Sequence, residues 1–165
     1  MWRRVDTSGF IQPRTLDEEE LKDLPEMQAR AERYLTSHAW CPEVAELVAG
    51  YALPPIVCLF LARLSRPIRS AGGVDTELWV VVGDLPSAYF ITDDAETPPE
   101  ALDTYCWLME EWADRVLSGE ELAGCYPVDA EPTREHAEML NSRVDFIREH
   151  LIPASQPQAP AINDP

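Results

Sequence analysis

Glu77-Leu78-Trp79-Val80-Val81-Val82-Gly83-Asp84-Leu85-Pro86-Ser87-Ala88-Tyr89-Phe90-Ile91-Thr92 is the stretch that decides the fold class of this chain. Residues 77–82 are rich in β-branched and aromatic side chains, which suit a pleated, packed surface. Gly83 to Ser87 is turn chemistry, with glycine for unusual dihedrals, proline to fix one, and aspartate and serine to bond local backbone. Residues 88–92 then read as a returning strand. Immediately upstream, residues 66–75 hold Pro67 and Gly72-Gly73 and read as a loop. Before that loop, Ile56-Val57-Cys58-Leu59-Phe60-Leu61 is a short apolar run read as a buried strand, although the run as far as Ala62 has no period that separates strand from helix. Three strands with short links predict an antiparallel meander.

Helical signatures flank the meander on both sides. Thr15-Leu16-Asp17-Glu18 has capping-box spacing, and Asp23-Leu24-Pro25-Glu26 repeats it. Trp40-Cys41-Pro42 reads as a third start, with Val44, Leu47, Val48 and Tyr51 as an apolar stripe that Pro54-Pro55 would end. Downstream, Thr97-Pro98-Pro99-Glu100 predicts a helix running to about Leu117, with Gly119 beyond its end. Thr133 opens a last helix, with Ala137, Leu140, Val144, Ile147 and Leu151 on one face. The expectation is one α+β domain over residues 1–152: N-terminal helices, a three-stranded antiparallel meander, and two C-terminal helices packed on the sheet. Residues 1–14 read as a loose arm, and residues 153–165, rich in Pro, Ala and Gln, as a disordered tail.

Charge narrows the classes of partner. The chain has 165 residues, with 13 basic against 30 acidic and a net charge of −17. Such a surface repels phosphate backbones and anionic lipid, so nucleic acid and membranes are poor partners and a basic protein a good one. From Val44 to Leu64 the longest uninterrupted apolar run is Ile56 to Ala62, far short of the ~20 residues of a membrane span. Cys41, Cys58, Cys106 and Cys125 lack paired spacing, and no apolar signal core follows Met1, so free thiols in a cytoplasmic protein are expected.

No residue set predicts catalysis, a metal or a cofactor. His38 and Cys41 stand three apart, but zinc wants four ligands and no second pair follows. Asp84 and Ser87 lie in a turn without a G-x-S-x-G setting. Asp93-Asp94 and Glu110-Glu111 are adjacent carboxylates of the kind an acidic chain has anyway.

The placement of charge says more. Between Thr92 and Glu131 the only basic residue is Arg115. On a helical wheel Ala101, Tyr105, Leu108, Met109, Trp112 and Val116 gather on one side, and Asp103, Glu110 and Asp114 on the other, flanked by Glu100 and Glu111. Trp107 falls in the middle of that acidic side, and tryptophan is enriched among residues that dominate interfaces. Trp107, Asp103, Glu110, Glu111, Asp114, Glu100, Asp93 and Asp94 are therefore the expected partner-binding residues.

Residues 79–89 carry the pattern W-V-V-x-G-D-L-P-S-x-Y, and with the helix start at Thr97-Pro98-Pro99-Glu100-Ala101 they resemble a group of small bacterial proteins. Some of these look like immunity proteins, which neutralise a cognate toxin. Tyr126-Pro127-Val128 and residues 138–143 are similar to the same group. The resemblance implies no catalytic residue. Together with the acidic surface and the absence of a catalytic set, it leads to the expectation of a non-enzymatic binding protein, an immunity-type inhibitor that occludes a basic toxin. Two other readings stay open at this point: a small-molecule sensor or small enzyme with Trp79, Tyr89 and Tyr105 lining a cleft, and a structural or adaptor subunit.

Overall fold

Two strands that are apolar on both faces form the middle of the sheet. The protein is described by a computed structural model covering residues 5–8, 10, 16–70 and 73–152, with the main chain alone at Asp94. Its elements are α1 (Glu18–Thr36), β1 (Val44–Leu53), β2 (Val57–Ser70), β3 (Gly73–Gly83), β4 (Ala88–Ile91), α2 (Pro98–Ser118) and α3 (Arg134–Phe146). A 3-10 turn at Thr92–Asp94 precedes α2, and a π-helical turn at Ile147–Leu151 extends α3. The chain divides into two compact units, Met1–Ala101 and Leu102–Pro165.

The first unit holds an antiparallel sheet in the order β1-β2-β3-β4. Its central pair is in register from Val57 opposite Gly83 to Arg63 opposite Glu77. Successive side chains point to opposite faces of a strand. Cys58, Phe60 and Ala62, with Leu78, Val80 and Val82 opposite them, therefore share one face, and α1 covers it with Met27, Ala31 and Leu35. Leu59, Leu61, Trp79 and Val81 are buried on the other face. There the Phe10 ring stacks on Trp79 with centroids 5.8 Å apart, and the Trp79 indole N–H donates to the Ala95 carbonyl at 2.9 Å.

The sheet has four strands where the sequence predicts three, and the extra one is the segment read as a third helix. In β1 the pairing with β2 slips between Val44 and Glu46 and again between Ala49 and Tyr51. Each bulge inserts one unpaired residue. The insertion converts a two-residue alternation into spacings of three and four, which imitate a helical stripe. At the end of β1 the Ile56 N–H donates to the Leu53 carbonyl at 2.8 Å, closing a tight turn through the cis Pro54–Pro55 bond. The loop expected over residues 66–75 is also mostly strand: β2 continues to Ser70 and β3 begins at Gly73, with the pairing irregular between Arg63 and Ile68, around Pro67. Proline inside a sheet belongs at such an irregularity, because it has no N–H to give the ladder.

Among the described residues one N-terminal helix replaces the several expected. Asp17 is the cap: its carboxylate accepts the Glu20 N–H at 2.8 Å, and Glu20 accepts the Asp17 N–H at 3.0 Å. The box thus sits two residues beyond the one expected at Thr15, which lies outside the described residues. Pro25 does not start a helix but lies within α1, at the loss of one backbone hydrogen bond, and the buried face of Met27, Ala31 and Leu35 holds the helix together across it. Most of the arm expected over residues 1–14, and all of the tail at 153–165, lie outside the described residues.

In the second unit α2 and α3 lie side by side. The Asn141 amide reaches Asp114 at 3.5 Å, and the Cys106 thiol reaches the Val144 carbonyl at 4.0 Å. Tyr105, Cys106, Met109, Trp112 and Ala113 of α2 are buried, as are Ala137, Leu140 and Val144 of α3 and Ile147 after it. Gly119, with φ of +79°, ends α2 as expected, and Thr133 caps α3 by accepting the His136 N–H at 3.2 Å. No described helix is long and apolar enough to cross a membrane.

Candidate interaction surface

The helical wheel of α2 places its large residues correctly on both sides. Tyr105, Met109 and Trp112 are buried, with Leu108 and Val116 half-buried at the margins, while Trp107 is 57% exposed. Residues three and four apart on a helix are surface neighbours. Trp107 therefore has Asp103 one turn before it and Glu110 and Glu111 one turn after, with Asp114 a turn further on. Together with the C-terminal end of the helix these residues enclose a shallow groove of about 310 Å³, lined by Trp107, Glu110, Glu111, Asp114, Arg115 and Glu120.

Two arginines set the electrostatics of this surface. Arg115 donates to Glu111 at 3.2 Å and to the carbonyls of Glu121 and Ala123 at 2.9 and 3.2 Å, so it fastens the following loop to the helix. Arg148, from the π-helical turn, donates to Glu110 at 2.8 Å and lies 3.7 Å from Asp103. The acidic side of α2 is therefore partly neutralised, contrary to what the single arginine between residues 92 and 131 suggests. Among the described residues no cation pairs with Asp114 or Glu120. Glu120 accepts the Ser118 hydroxyl at 2.9 Å, and Asp114 has only the long contact from Asn141.

Of the eight expected binding residues, Trp107, Glu110, Glu111 and Asp114 come together in the groove, and Asp103 joins them through Arg148. Glu100, Asp93 and Asp94 belong to the first unit and are not among the lining residues. Glu100 accepts the Glu96 N–H at 2.9 Å at the head of α2, and Asp93 is exposed in the turn Thr92–Asp94. Sequence reasoning missed Glu120 and Arg148. Glu120 follows the helix stop at Gly119, outside any wheel, and Arg148 is far away in the chain.

Trp79 and Tyr105 are wholly buried, and Tyr89 packs among Tyr34, His38 and Trp40, with ring centroids 4.9 to 6.2 Å apart. In that cluster His38 Nδ1 stands 2.9 Å from the Tyr34 carbonyl oxygen, which places a proton on Nδ1 and gives the ring a capping role at the end of α1. Cys41 donates to the Pro42 carbonyl at 3.2 Å. Burial pushes the thiols of Cys58 and Cys106 up to about 12, so both are protonated and unreactive at neutral pH. Compared with known families, with curated proteins and with solved structures, the chain matches none.

Proposed function

We propose that this is a non-enzymatic, acidic binding protein whose α2 groove seats a basic protein, and that the partner is a bacterial toxin occluded in the manner of an immunity protein. The observation that carries the binding reading is Trp107, an indole 57% exposed in a groove where two of the carboxylates have no cationic partner among the described residues. Such a ring offers a large rigid contact area, and a guanidinium can stack on its face while Asp114 and Glu120 accept its N–H groups. The net charge of −17 adds long-range attraction for a basic surface. The toxin as partner rests on the resemblance of residues 78–89 to immunity-type proteins.

Titration with an arginine-rich peptide tests the groove. Trp107→Ala should weaken binding by about 2 kcal/mol, or roughly 30-fold in Kd, with little change in Tm because the ring is largely exposed. Asp114→Lys with Glu120→Lys should weaken it further. Glu110→Lys is a poor probe, since it sets a cation against Arg148 and disturbs the helix pair as well. Undiminished binding by Trp107→Ala would remove the groove from the interface. The toxin is tested separately: a neighbouring reading frame should encode a basic, growth-inhibiting protein, and co-expression should relieve that inhibition. Unchanged growth inhibition would sink the immunity role and leave the groove standing.

A further inference from the structure

Glu77 is buried to 3% exposure in the middle of an apolar strand, and its partners are unusual. One carboxylate oxygen accepts Arg63 Nε at 2.8 Å, and the other accepts the backbone N–H of Val5 at 2.9 Å. Arg63 also holds Glu46 at 3.1 Å and turns its last nitrogen toward the Val5 carbonyl at 3.5 Å. Both main-chain groups of one residue thus face a carboxylate–guanidinium pair, which reads the backbone whatever the side chain. Five residues on, Phe10 lies flat on Trp79, whose ring is fixed from behind by its bond to the Ala95 carbonyl. Between the two anchors the segment bonds to itself, Ser8 N–H to Asp6 at 3.0 Å and Phe10 N–H to the Thr7 carbonyl at 3.1 Å.

We infer that Glu77, Arg63 and Trp79 form a receptor for a short peptide, a backbone clamp followed by an aromatic seat, and that the chain's own N-terminal segment fills it in cis. The ligand class follows from the two anchors: a peptide with an aromatic residue five positions after the clamped one. The occupant to which the geometry commits is the same segment presented by a second molecule. The site lies wholly in the first unit and does not depend on the Trp107 groove.

Two measurements on the full-length chain test this. In the wild-type protein, the Val5 amide should exchange with solvent at least 100-fold faster than the Val80 amide of the central strand, because the segment opens without the sheet unfolding. Equal rates would make residues 5–10 an integral part of the core and overturn the proposal. Next, Phe10→Ala should bind a labelled peptide with the sequence of residues 1–14 at least tenfold more tightly than the wild type does. The same peptide with alanine for its phenylalanine has identical charge and should bind the variant at least tenfold more weakly. Equal affinity for the two peptides would show attraction by charge alone and no aromatic seat. If Phe10→Ala fails to fold, the exchange rates decide by themselves.

Discussion

Gly83 ends β3 with φ of +149°, and a Cβ at that position would stand 2.2 Å from the Ile56 carbonyl oxygen, which the Asp84 N–H already engages at 2.8 Å. A side chain is excluded twice over, by dihedral and by space. Gly83→Val should therefore cost about 3 kcal/mol or more, while Ser87→Ala stays within about 0.5 kcal/mol, as measured by denaturant unfolding. A small effect at Gly83 would mean that the turn is not built as described. Cys58 and Cys106 support a pH prediction. Their thiols, ordinarily near ~8.5 in an unfolded chain, rise to about 12, mainly through burial. The folded state keeps protons that the unfolded state has released, so their contribution is whole below pH ~8.5 and is lost as pH climbs toward 12, by up to ~1.4 kcal/mol per unit for each thiol. Cys58→Ala should flatten that alkaline decline relative to the wild type. Parallel curves would show that Cys58 titrates alike in both states.

Among the elements, β1 shows how local irregularity misleads. Its bulge at Gly50 brings that backbone against Pro98, Leu59 and the Trp79 ring, where a Cβ would stand 3.3 to 3.4 Å from each. Alanine fits there with small adjustments, whereas valine overfills the site. Gly50→Val should cost about 1–3 kcal/mol and Gly50→Ala distinctly less. Equal tolerance of both would indicate a loosely packed bulge. Residues 77–82 of β3 were legible from their β-branched and aromatic side chains, whereas burial on both faces left the apolar run of β2 readable as strand or helix. The helix starts with complete caps, at Thr97 and Thr133, were legible too. For α1 two successive cap patterns competed, and only the packing of Met27, Ala31 and Leu35 on the sheet shows that the helix runs through Pro25.

For the molecule as a whole, charge is the dominant property, and its effect depends on ionic strength. Exposed charges are screened over ~8 Å at physiological salt. Affinity for the arginine-rich peptide should therefore fall steadily with added salt, and more steeply for the wild type than for Asp114→Lys with Glu120→Lys. A flat response would assign the charge to solubility and leave Trp107 to act by apolar contact alone. Folding also changes the local balance. Arg148 comes back beside α2 to occupy Asp103 and Glu110, while Arg115 turns to Glu111 and the loop, and the attraction left for a partner converges on Asp114 and Glu120.

The sequence by itself determined the α+β class, the apolar half of β3, the extent of α2 and the exposure of Trp107. Each of these follows from signals local to one element, namely composition, caps and stops, or a helical wheel, where neighbours in space are neighbours in the chain. Tertiary structure alone decided the fourth strand, the packing of Tyr89 among Tyr34, His38 and Trp40, and which carboxylates keep a cation partner. Bulges hide a strand's period, and the partners of Glu77, Glu110 and Asp103 come from residues 14 to 72 positions away along the chain. Periodicity cannot show that a distant arginine folds back onto an acidic helix, because that arrangement comes from packing between elements.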